Sequence, residues 1–240
     1  MKDQGMKYEY MKYHKDRPAY NSGIQKMLEI EGFNEQDYFN HFPLFIGHLT
    51  LSRYLSLYEA YKQCIEVAGH IAEVGIDKGT VSLLFAKLVK IFEPNSMTLV
   101  HGFDSFQGAR KTDEEPFLED GRYKSDESVV REFINANGME NIVHVHNVDA
   151  TQDLPDFFAK PENAHLQFKL VFIDCGLYQV VSESLKHFWD RMTPGGILIL
   201  DHYSFEQAPG EMRAIREILP HVKWKQFPFG WMPSAYVIKE

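Results

Sequence analysis

The stretch AEVGIDKGT, residues 72–80, decides the fold class of this 240-residue chain. An apolar, strand-like run reaches Glu73, and two glycines, Gly75 and Gly79, then frame a turn before a helical pattern begins. A strand, a glycine turn and a helix in this order are typical of the ligand-binding turn of an open α/β sheet. The stretch therefore predicts a ligand site at the end of this strand.

Strand and helix patterns alternate from this turn to the end of the chain. The strand patterns are HIAEV, SMTLVHGF, NIVHVHN, KLVFID, GILILD and SAYVIKE. KLVFID and GILILD are nearly continuous apolar runs, which is typical of strands buried on both faces. We therefore predict an α/β fold with a parallel sheet and helices on both of its faces.

Five acidic residues come at or just after the ends of strand patterns. They are Glu73, Asp104, Asp149, Asp174 and Asp201. Ligands of such sheets bind beyond the carboxyl ends of the strands, where these side chains would meet. A row of carboxylates at one edge indicates a ligand that is cationic, rich in hydroxyl groups or bound to a metal.

The glycine turn argues against a nicotinamide dinucleotide, which needs the form G-x-G-x-x-G for its pyrophosphate. This turn reads G-x-x-x-G and would set Asp77 against a phosphate. S-adenosylmethionine carries no phosphate, but it has a sulfonium, an ammonium and a ribose diol. We expect Glu73 to favour its cationic end or to order the turn, Asp104 to bind the ribose and Asp149 to line the adenine pocket. The residues expected at the cofactor are Glu73, Gly75, Gly79, Thr80, Asp104, Ser105, Asp149, Ala150 and Asp174.

Composition bounds the function further. A net charge of −9 argues against a nucleic acid or an acidic membrane as the main partner. Two cysteines are too few for a disulfide framework. No apolar run reaches the ~20 residues of a membrane span, and the first residues lack the apolar core of a secretory signal. We expect a cytoplasmic globular protein.

Six motifs together resemble the class I S-adenosylmethionine-dependent methyltransferases, and more closely the macrocin-type sugar O-methyltransferases, which include deoxyhexose 3-O-methyltransferases. The motifs are LSRYLSLYEAY, AEVGIDKGT, GFDSFQG, DATQDLP, FIDCGLY and MTPGGILILDHY. The resemblance implies a Rossmann-like domain with a mostly parallel seven-stranded sheet over residues 42–240. An N-terminal helical extension, residues 1–41, is expected ahead of this domain. Its aromatic residues Tyr8, Tyr10, Tyr13 and Tyr20 would cover the acceptor pocket, contact another subunit or pack against the core. The implied acceptor is a sugar hydroxyl, on a nucleotide-linked deoxyhexose, and the implied assembly is a homo-oligomer.

The resemblance also implies a divalent cation, usually magnesium. In the family a D-x-D-L-Y segment and a later D-D pair supply carboxylates, which correspond here to Asp174 and Asp201, while Gly176 and His202 replace two further acids. From the residues alone, two carboxylates at neighbouring strand ends repel unless a proton or a cation lies between them. The expected ligands of Mg²⁺, or of Mn²⁺, are Asp174, Asp201 and His202. His202 as a third ligand would shift the preference towards manganese or zinc. Asp174 and His202 are also the expected bases for the acceptor hydroxyl.

Other features leave alternatives open. Residues 107–124 are long and polar, which is typical of a lid over an acceptor or of a surface loop. Cys175 is interpreted as a small buried residue, because no partner for a nucleophile is evident. A phenol or an amine would also suit the site as acceptor. Gly176 and His202 would also suit a protein that binds the cofactor without turnover.

Overall fold

The computed structural model describes residues 16–110 and 119–240. Ahead of the sheet, the described residues form helices α1 (Asp16–Leu28), α2 (Glu35–Asn40) and α3 (His48–Gln63), with a 3₁₀ turn at Phe42–Leu44. The remaining elements are β1 (His70–Val74), α4 (Thr80–Phe92), β2 (Val100–Asp104), α5 (Glu127–Ala136), β3 (Val143–Asn147), α6 (Leu154–Ala159), β4 (Phe168–Ile173), α7 (Tyr178–Phe188), a 3₁₀ turn (Trp189–Arg191), β5 (Met192–Leu200), α8 (Pro209–Ile218) and β6 (Ala235–Ile238). The predicted alternation of strands and helices is confirmed.

The described strands form one sheet in the order β3-β2-β1-β4-β5-β6. Strands β1 to β5 pair in parallel, and β6 pairs antiparallel with β5. The direction of strand succession reverses between β1 and β4, which is the switch point where open α/β sheets bind ligands. Val74 pairs with Ile173, and Ile173 pairs with Leu200, so the ends of β1, β4 and β5 lie side by side.

The expected seventh strand is not found in the described part of the chain, so the sheet has six strands there. Where an additional edge strand would pair with β6, Lys225 forms a single isolated bridge with Tyr236. Two backbone hydrogen bonds of 2.8 Å make up this bridge. Pro228 follows three residues later and has no N–H to donate to a ladder. The pairing therefore stops at one residue, and the count of seven is corrected to six.

Helices cover both faces of the sheet, as predicted. On one face α3, α4 and α5 contribute a buried cluster that includes Leu57, Phe85 and Ile134. On the other face α6, α7 and α8 contribute a second cluster that includes Phe157 and Leu185. All six residues of β4 are buried. Five of them are apolar, and the sixth, Lys169, pairs with Glu93 at 2.6 Å, so the strand that carries Asp174 at its end lies within the core.

The segment before the sheet keeps many apolar side chains in contact with solvent. The exposed ones include Leu28, Ile30, Phe33, Phe39, Phe42, Leu44, Leu51 and Leu55. Tyr20 packs locally, since its hydroxyl donates to the carbonyl of Phe45 at 2.5 Å. The predicted roles of Tyr8, Tyr10 and Tyr13 fall on residues outside the described ranges. Among the helices of the described residues, none combines the length and the apolar character that crossing a membrane requires.

Four histidines line the sheet on one face, and His101 is buried among them. Its Nδ1 lies 3.0 Å from Nε2 of His146, and its ring also faces His70 and His144. Burial, with repulsion from the neighbouring imidazoles, lowers the pKa of His101 to about 2. Burial likewise lowers the pKa of His146 to about 4. Both rings are therefore neutral in the folded protein at neutral pH.

Acidification is expected to destabilise the protein through these rings. An unfolded histidine has a pKa of about 6.5, so below that pH the unfolded chain binds more protons than the folded one, and stability falls as the pH falls. Each ring contributes up to about 1.4 kcal/mol per pH unit. Urea unfolding at pH 7.0 and pH 5.5 measures the loss, which His101→Phe should reduce and the exposed control His221→Gln should leave unchanged. An equal loss in wild type and His101→Phe contradicts this assignment.

Candidate active site at the carboxyl edge of the sheet

The glycine turn lies against the end of β4. Gly75 has φ +89°, and a Cβ there would lie 2.5 Å from the carbonyl oxygen of Asp174 and 2.6 Å from Sγ of Cys175. Gly79 has φ +78°, and a Cβ there would lie 2.9 Å from Val130. Both positions therefore require glycine, because of the left-handed backbone and of the close approach. The turn after β1, where the cofactor is predicted to bind, therefore contacts Asp174, which is predicted to be a base and a metal ligand.

Glu73 lies behind this turn rather than in the open crevice. Its side chain is 1% exposed, and the hydroxyl of Ser82 in α4 donates a hydrogen bond to it. Burial raises the pKa of Glu73 to about 8. Glu73 was expected either to favour the cationic end of the cofactor or to order the turn. Its contact with Ser82 corresponds to the second role.

Asp104 joins the end of β2 to the glycine turn. One carboxylate oxygen accepts the N–H of Asp77 at 3.0 Å, and the other accepts the N–H of Phe106 at 2.8 Å. Ser105, which follows it, is partly exposed at the same edge. A carboxylate has about four acceptor positions, so Asp104 keeps acceptor capacity for a ribose diol.

Asp149 and the buried Ala150 follow β3 at the same edge. The carboxylate of Asp149 accepts the N–H of Thr151 at 2.9 Å and its hydroxyl at 2.6 Å. It also lies 3.1 Å from a guanidinium nitrogen of the exposed Arg110. Apart from the ion pair with Arg110, these contacts of Asp149 are with Thr151, two residues further along the chain. Its predicted place beside adenine stays a prediction.

Asp174 and Asp201 share one arginine. Arg53, on α3, donates from one nitrogen to Asp174 at 2.6 Å and from the other to Asp201. A guanidinium presents several N–H donors in a rigid fork, which suits two carboxylates at once. The repulsion that the sequence predicted between these acids is therefore relieved by a side chain of the protein itself.

The two carboxylates differ in access to the crevice. The side chain of Asp174 is 24% exposed and that of Asp201 is 4% exposed. Burial and the negative charge of Asp201 raise the pKa of Asp174 well above its ordinary value, against the opposing effect of Arg53. Asp174 is thus the more accessible carboxylate and has an increased affinity for a proton.

His202 and Gly176 are matched by packing. Gly176 has φ +67°, and a Cβ there would lie 3.2 Å from Nδ1 of His202 and 3.0 Å from Ala208. A side chain at position 176 would therefore crowd Ala208 and the imidazole ring and would require them to shift. The two departures from the family pattern belong to one rearranged site, in which Nε2 of His202 lies 3.6 Å from Asp201. Burial lowers the pKa of His202, so the ring is neutral at pH 7.

Cys175 is half-buried, where the sequence led us to expect a buried residue. Its Sγ donates to the carbonyl of Val74 at 3.4 Å. Burial raises the pKa of its thiol well above the ordinary value, so the thiolate that a nucleophile needs is disfavoured.

Two residues of this site were not singled out from the sequence. Arg53 belongs to the quoted motif LSRYLSLYEAY, where it is a lone basic residue on a helix that packs on the sheet. Glu211 lies in the first turn of α8 and is fully buried, and one of its carboxylate oxygens accepts the backbone N–H of His202 at 3.0 Å. The only available signal was a charged residue within an amphipathic helix pattern, which usually indicates a solvent-exposed position.

The predicted lid is described only at its two ends, because residues 111–118 lie outside the described ranges. The ends are tied together, since the N–H of Ala109 donates to Arg122 and the N–H of Gly121 donates to Ala109, each at 2.8 Å. The two ends of the segment are therefore hydrogen-bonded to each other, and Arg110 at its first end contacts Asp149.

Comparison with known proteins points to one enzyme class. Residues 72–203 match the model of a family described as a methyltransferase domain. No curated protein sequence matches the chain.

Solved structures match over most of the chain. A crystal structure of CalS11, a calicheamicin methyltransferase, is 23% identical with a TM-score of 0.81 and covers 93% of this chain and 92% of its own. An apo structure of CalS11, described as a TDP-rhamnose 3'-O-methyltransferase, is 24% identical with a TM-score of 0.76. The match covers 93% of this chain and 94% of the CalS11 chain. The O-methyltransferase NovP is 16% identical with a TM-score of 0.65 and covers 81% and 83%. At these identities the likeness establishes the fold.

Proposed function

Because this chain belongs to the methyltransferase-domain family and is an S-adenosylmethionine-dependent methyltransferase, we propose that it methylates a hydroxyl group of a sugar. The proposed acceptor is a nucleotide-linked deoxyhexose. The observation that carries the proposal is the constellation of Asp174, Asp201 and His202 directly beside the glycine turn at Gly75. This places hydrogen-bond acceptors for hydroxyl groups next to the strand end at which the methyl donor is expected.

Two further observations support a sugar. The CalS11 structures, which span nearly the whole chain, belong to an enzyme described as acting on TDP-rhamnose. The side chains of Asp174 and His202 are each partly exposed, at 24% and 22%. A carboxylate and a neutral imidazole accept hydrogen bonds, and two neighbouring sugar hydroxyls donate them. A phenol or an amine offers only part of this match.

In the proposed reaction the acceptor oxygen displaces the sulfur of S-adenosylmethionine at the methyl carbon. The new bond joins oxygen to methyl, the sulfur keeps the electron pair of the broken bond, and S-adenosylhomocysteine leaves. Asp174 takes the hydroxyl proton, since its side chain is the more exposed of the two carboxylates and its backbone contacts the glycine turn. His202 accepts a hydrogen bond from the neighbouring hydroxyl and so orients the sugar.

A divalent cation fits the residues in donor type and spacing. One donor atom from each of Asp174, Asp201 and His202 lies within 4.8 Å of the others. The two carboxylates suit Mg²⁺, and the imidazole would shift the preference towards Mn²⁺. These three residues would hold the ion, which would supply Lewis-acid assistance to a sugar hydroxyl. Arg53 already pairs with both carboxylates, so we propose that the ion assists a site whose charge is largely balanced without it.

The exposed apolar residues of the segment before the sheet support the proposal of a homo-oligomer. They include Leu28, Phe39 and Leu44, which are 53%, 74% and 60% exposed. Burying such side chains against a second copy of the chain removes apolar surface from water. The same surface would otherwise cover the acceptor, and light scattering of the purified protein separates these two uses of residues 1–41.

A mass-spectrometric assay tests the proposed function. The enzyme is incubated with S-adenosylmethionine and a panel of nucleotide deoxysugars, phenols and amines, with Mg²⁺, with Mn²⁺ or with a chelator. The proposal expects one added methyl group on a sugar, with a lower rate in the chelator. Methylation of a phenol or an amine alone overturns the sugar acceptor, and an unchanged rate in the chelator overturns the metal.

A further inference from the structure

Two buried polar atoms at this site face each other without a hydrogen bond in the described residues. They are Nδ1 of His202 and Oε2 of Glu211, and they lie 3.9 Å apart. The other oxygen of the same carboxylate, Oε1, accepts the backbone N–H of His202 at 3.0 Å. Glu211 therefore already holds the backbone of His202 and points its second oxygen at the ring.

Each of these atoms needs a partner. A buried carboxylate oxygen or imidazole nitrogen without a hydrogen bond is costly, and native proteins seldom leave such groups unpaired. Glu211 is 0% exposed, and within the described residues the one ion pair recorded for its side chain is with His202. The distance between the two atoms is about 1 Å longer than a hydrogen bond, so a small turn of the ring closes it.

The surroundings leave room for this turn of the ring. Gly176 has no side chain, and a Cβ there would lie 3.2 Å from Nδ1 of His202. Glu211 also sits in the first turn of α8, where the partial positive charge of the helix N-terminus favours a carboxylate. A carboxylate beside one nitrogen of an imidazole fixes the proton on that nitrogen.

We propose that Glu211 is a positioning residue for His202, an inference that rests on the proposed function. Glu211 accepts a hydrogen bond from Nδ1–H, which holds the ring in one tautomer and leaves the lone pair of Nε2 free. Nε2 lies on the side of Asp201, at 3.6 Å, where the acceptor hydroxyls are proposed to bind. Glu211 thus determines that Nε2 of His202 offers its lone pair to the acceptor, and Glu211 does not touch the acceptor itself.

Nuclear magnetic resonance of ¹⁵N-labelled histidine tests the proposal without an acceptor. The signals of His202 are assigned by their loss in His202→Gln. The proposal expects the Nδ1–H tautomer in the wild type. In Glu211→Gln it expects a mixture of tautomers, because an NH₂ group, which only donates, replaces one of the two oxygens that face N–H groups of His202. The control Glu217→Gln lies on the same helix with an exposed side chain and should leave the tautomer unchanged.

Kinetics supply the second readout. Glu211→Gln should lower kcat/KM for the acceptor about 10–100-fold, while the Kd of S-adenosylmethionine stays unchanged. An Nε2–H tautomer in the wild type overturns the proposal even if Glu211→Gln fails to fold. An unchanged tautomer in a folded Glu211→Gln also overturns it. Because the tautomer is measured without turnover, a failure of the proposed function is distinguishable from a failure of this inference.

Discussion

Replacing Asp174 with asparagine is expected to lower kcat for methyl transfer by about 10²–10⁴-fold, the range that a general base contributes. Asparagine keeps the shape of the side chain but cannot take a proton from the acceptor hydroxyl. It also removes one of the two negative charges that Arg53 holds at this site. The Kd of S-adenosylmethionine, measured by calorimetry, should change far less than kcat.

The control for this variant is Asp156→Asn, which makes the same substitution at an exposed position on α6. Asp156→Asn should retain wild-type kcat, and both variants should keep a cooperative thermal transition. If Asp174→Asn retains kcat within threefold of wild type, Asp174 is not the base. A comparable loss in His202→Gln but not in Asp174→Asn would transfer that role to His202.

Replacing Arg53 with methionine should cost both stability and activity. The variant leaves Asp174 and Asp201 side by side with no guanidinium between them. Breaking a buried ion pair by removing one partner costs 3–5 kcal/mol, and since Arg53 is 22% exposed we expect about 3 kcal/mol. Urea unfolding measures this loss, and Arg53→Lys should lose less, because a lysine keeps the charge without the fork.

The same variant should become less stable as the pH rises. Without Arg53, repulsion from Asp201 raises the pKa of Asp174 further above its ordinary value, so the folded state binds more protons than the unfolded state. Stability is then present at low pH and is lost as the pH rises through the folded-state pKa. Unfolding at pH 5 and pH 8 tests the sign. Equal stability of Arg53→Met and wild type at both pH values would show that Arg53 does not balance these carboxylates.

The sequence predicted the sheet well because its signals are local. KLVFID and GILILD become β4 and β5, whose buried residues face the two core clusters. The acids that follow the strands do line one edge, since parallel strands end together. The strand count of seven came from the family resemblance, and it failed because the segment at Lys225 pairs at only one residue.

The parts of the site that the sequence did not predict depend on distant contacts. Arg53 is 121 residues from Asp174 and 148 residues from Asp201 in the chain. The helical periodicity around Arg53 does not predict that this residue lies beside Asp174 and Asp201. Glu211 is nine residues from His202, but a glutamate in the first turn of a helix ordinarily faces solvent. The close packing of Gly176 against the His202 ring is visible only in the folded backbone. No pattern of residues in the sequence predicts it.

The most direct test of the account is a crystal structure with S-adenosylhomocysteine and TDP-rhamnose. The account predicts the cofactor sulfur beside the turn at Gly75 and a sugar hydroxyl within hydrogen-bond distance of Asp174, with a neighbouring hydroxyl on Nε2 of His202. Arg53 should remain between Asp174 and Asp201. A sugar bound away from Asp174 and His202, or a cofactor bound elsewhere than at the glycine turn, would contradict the account.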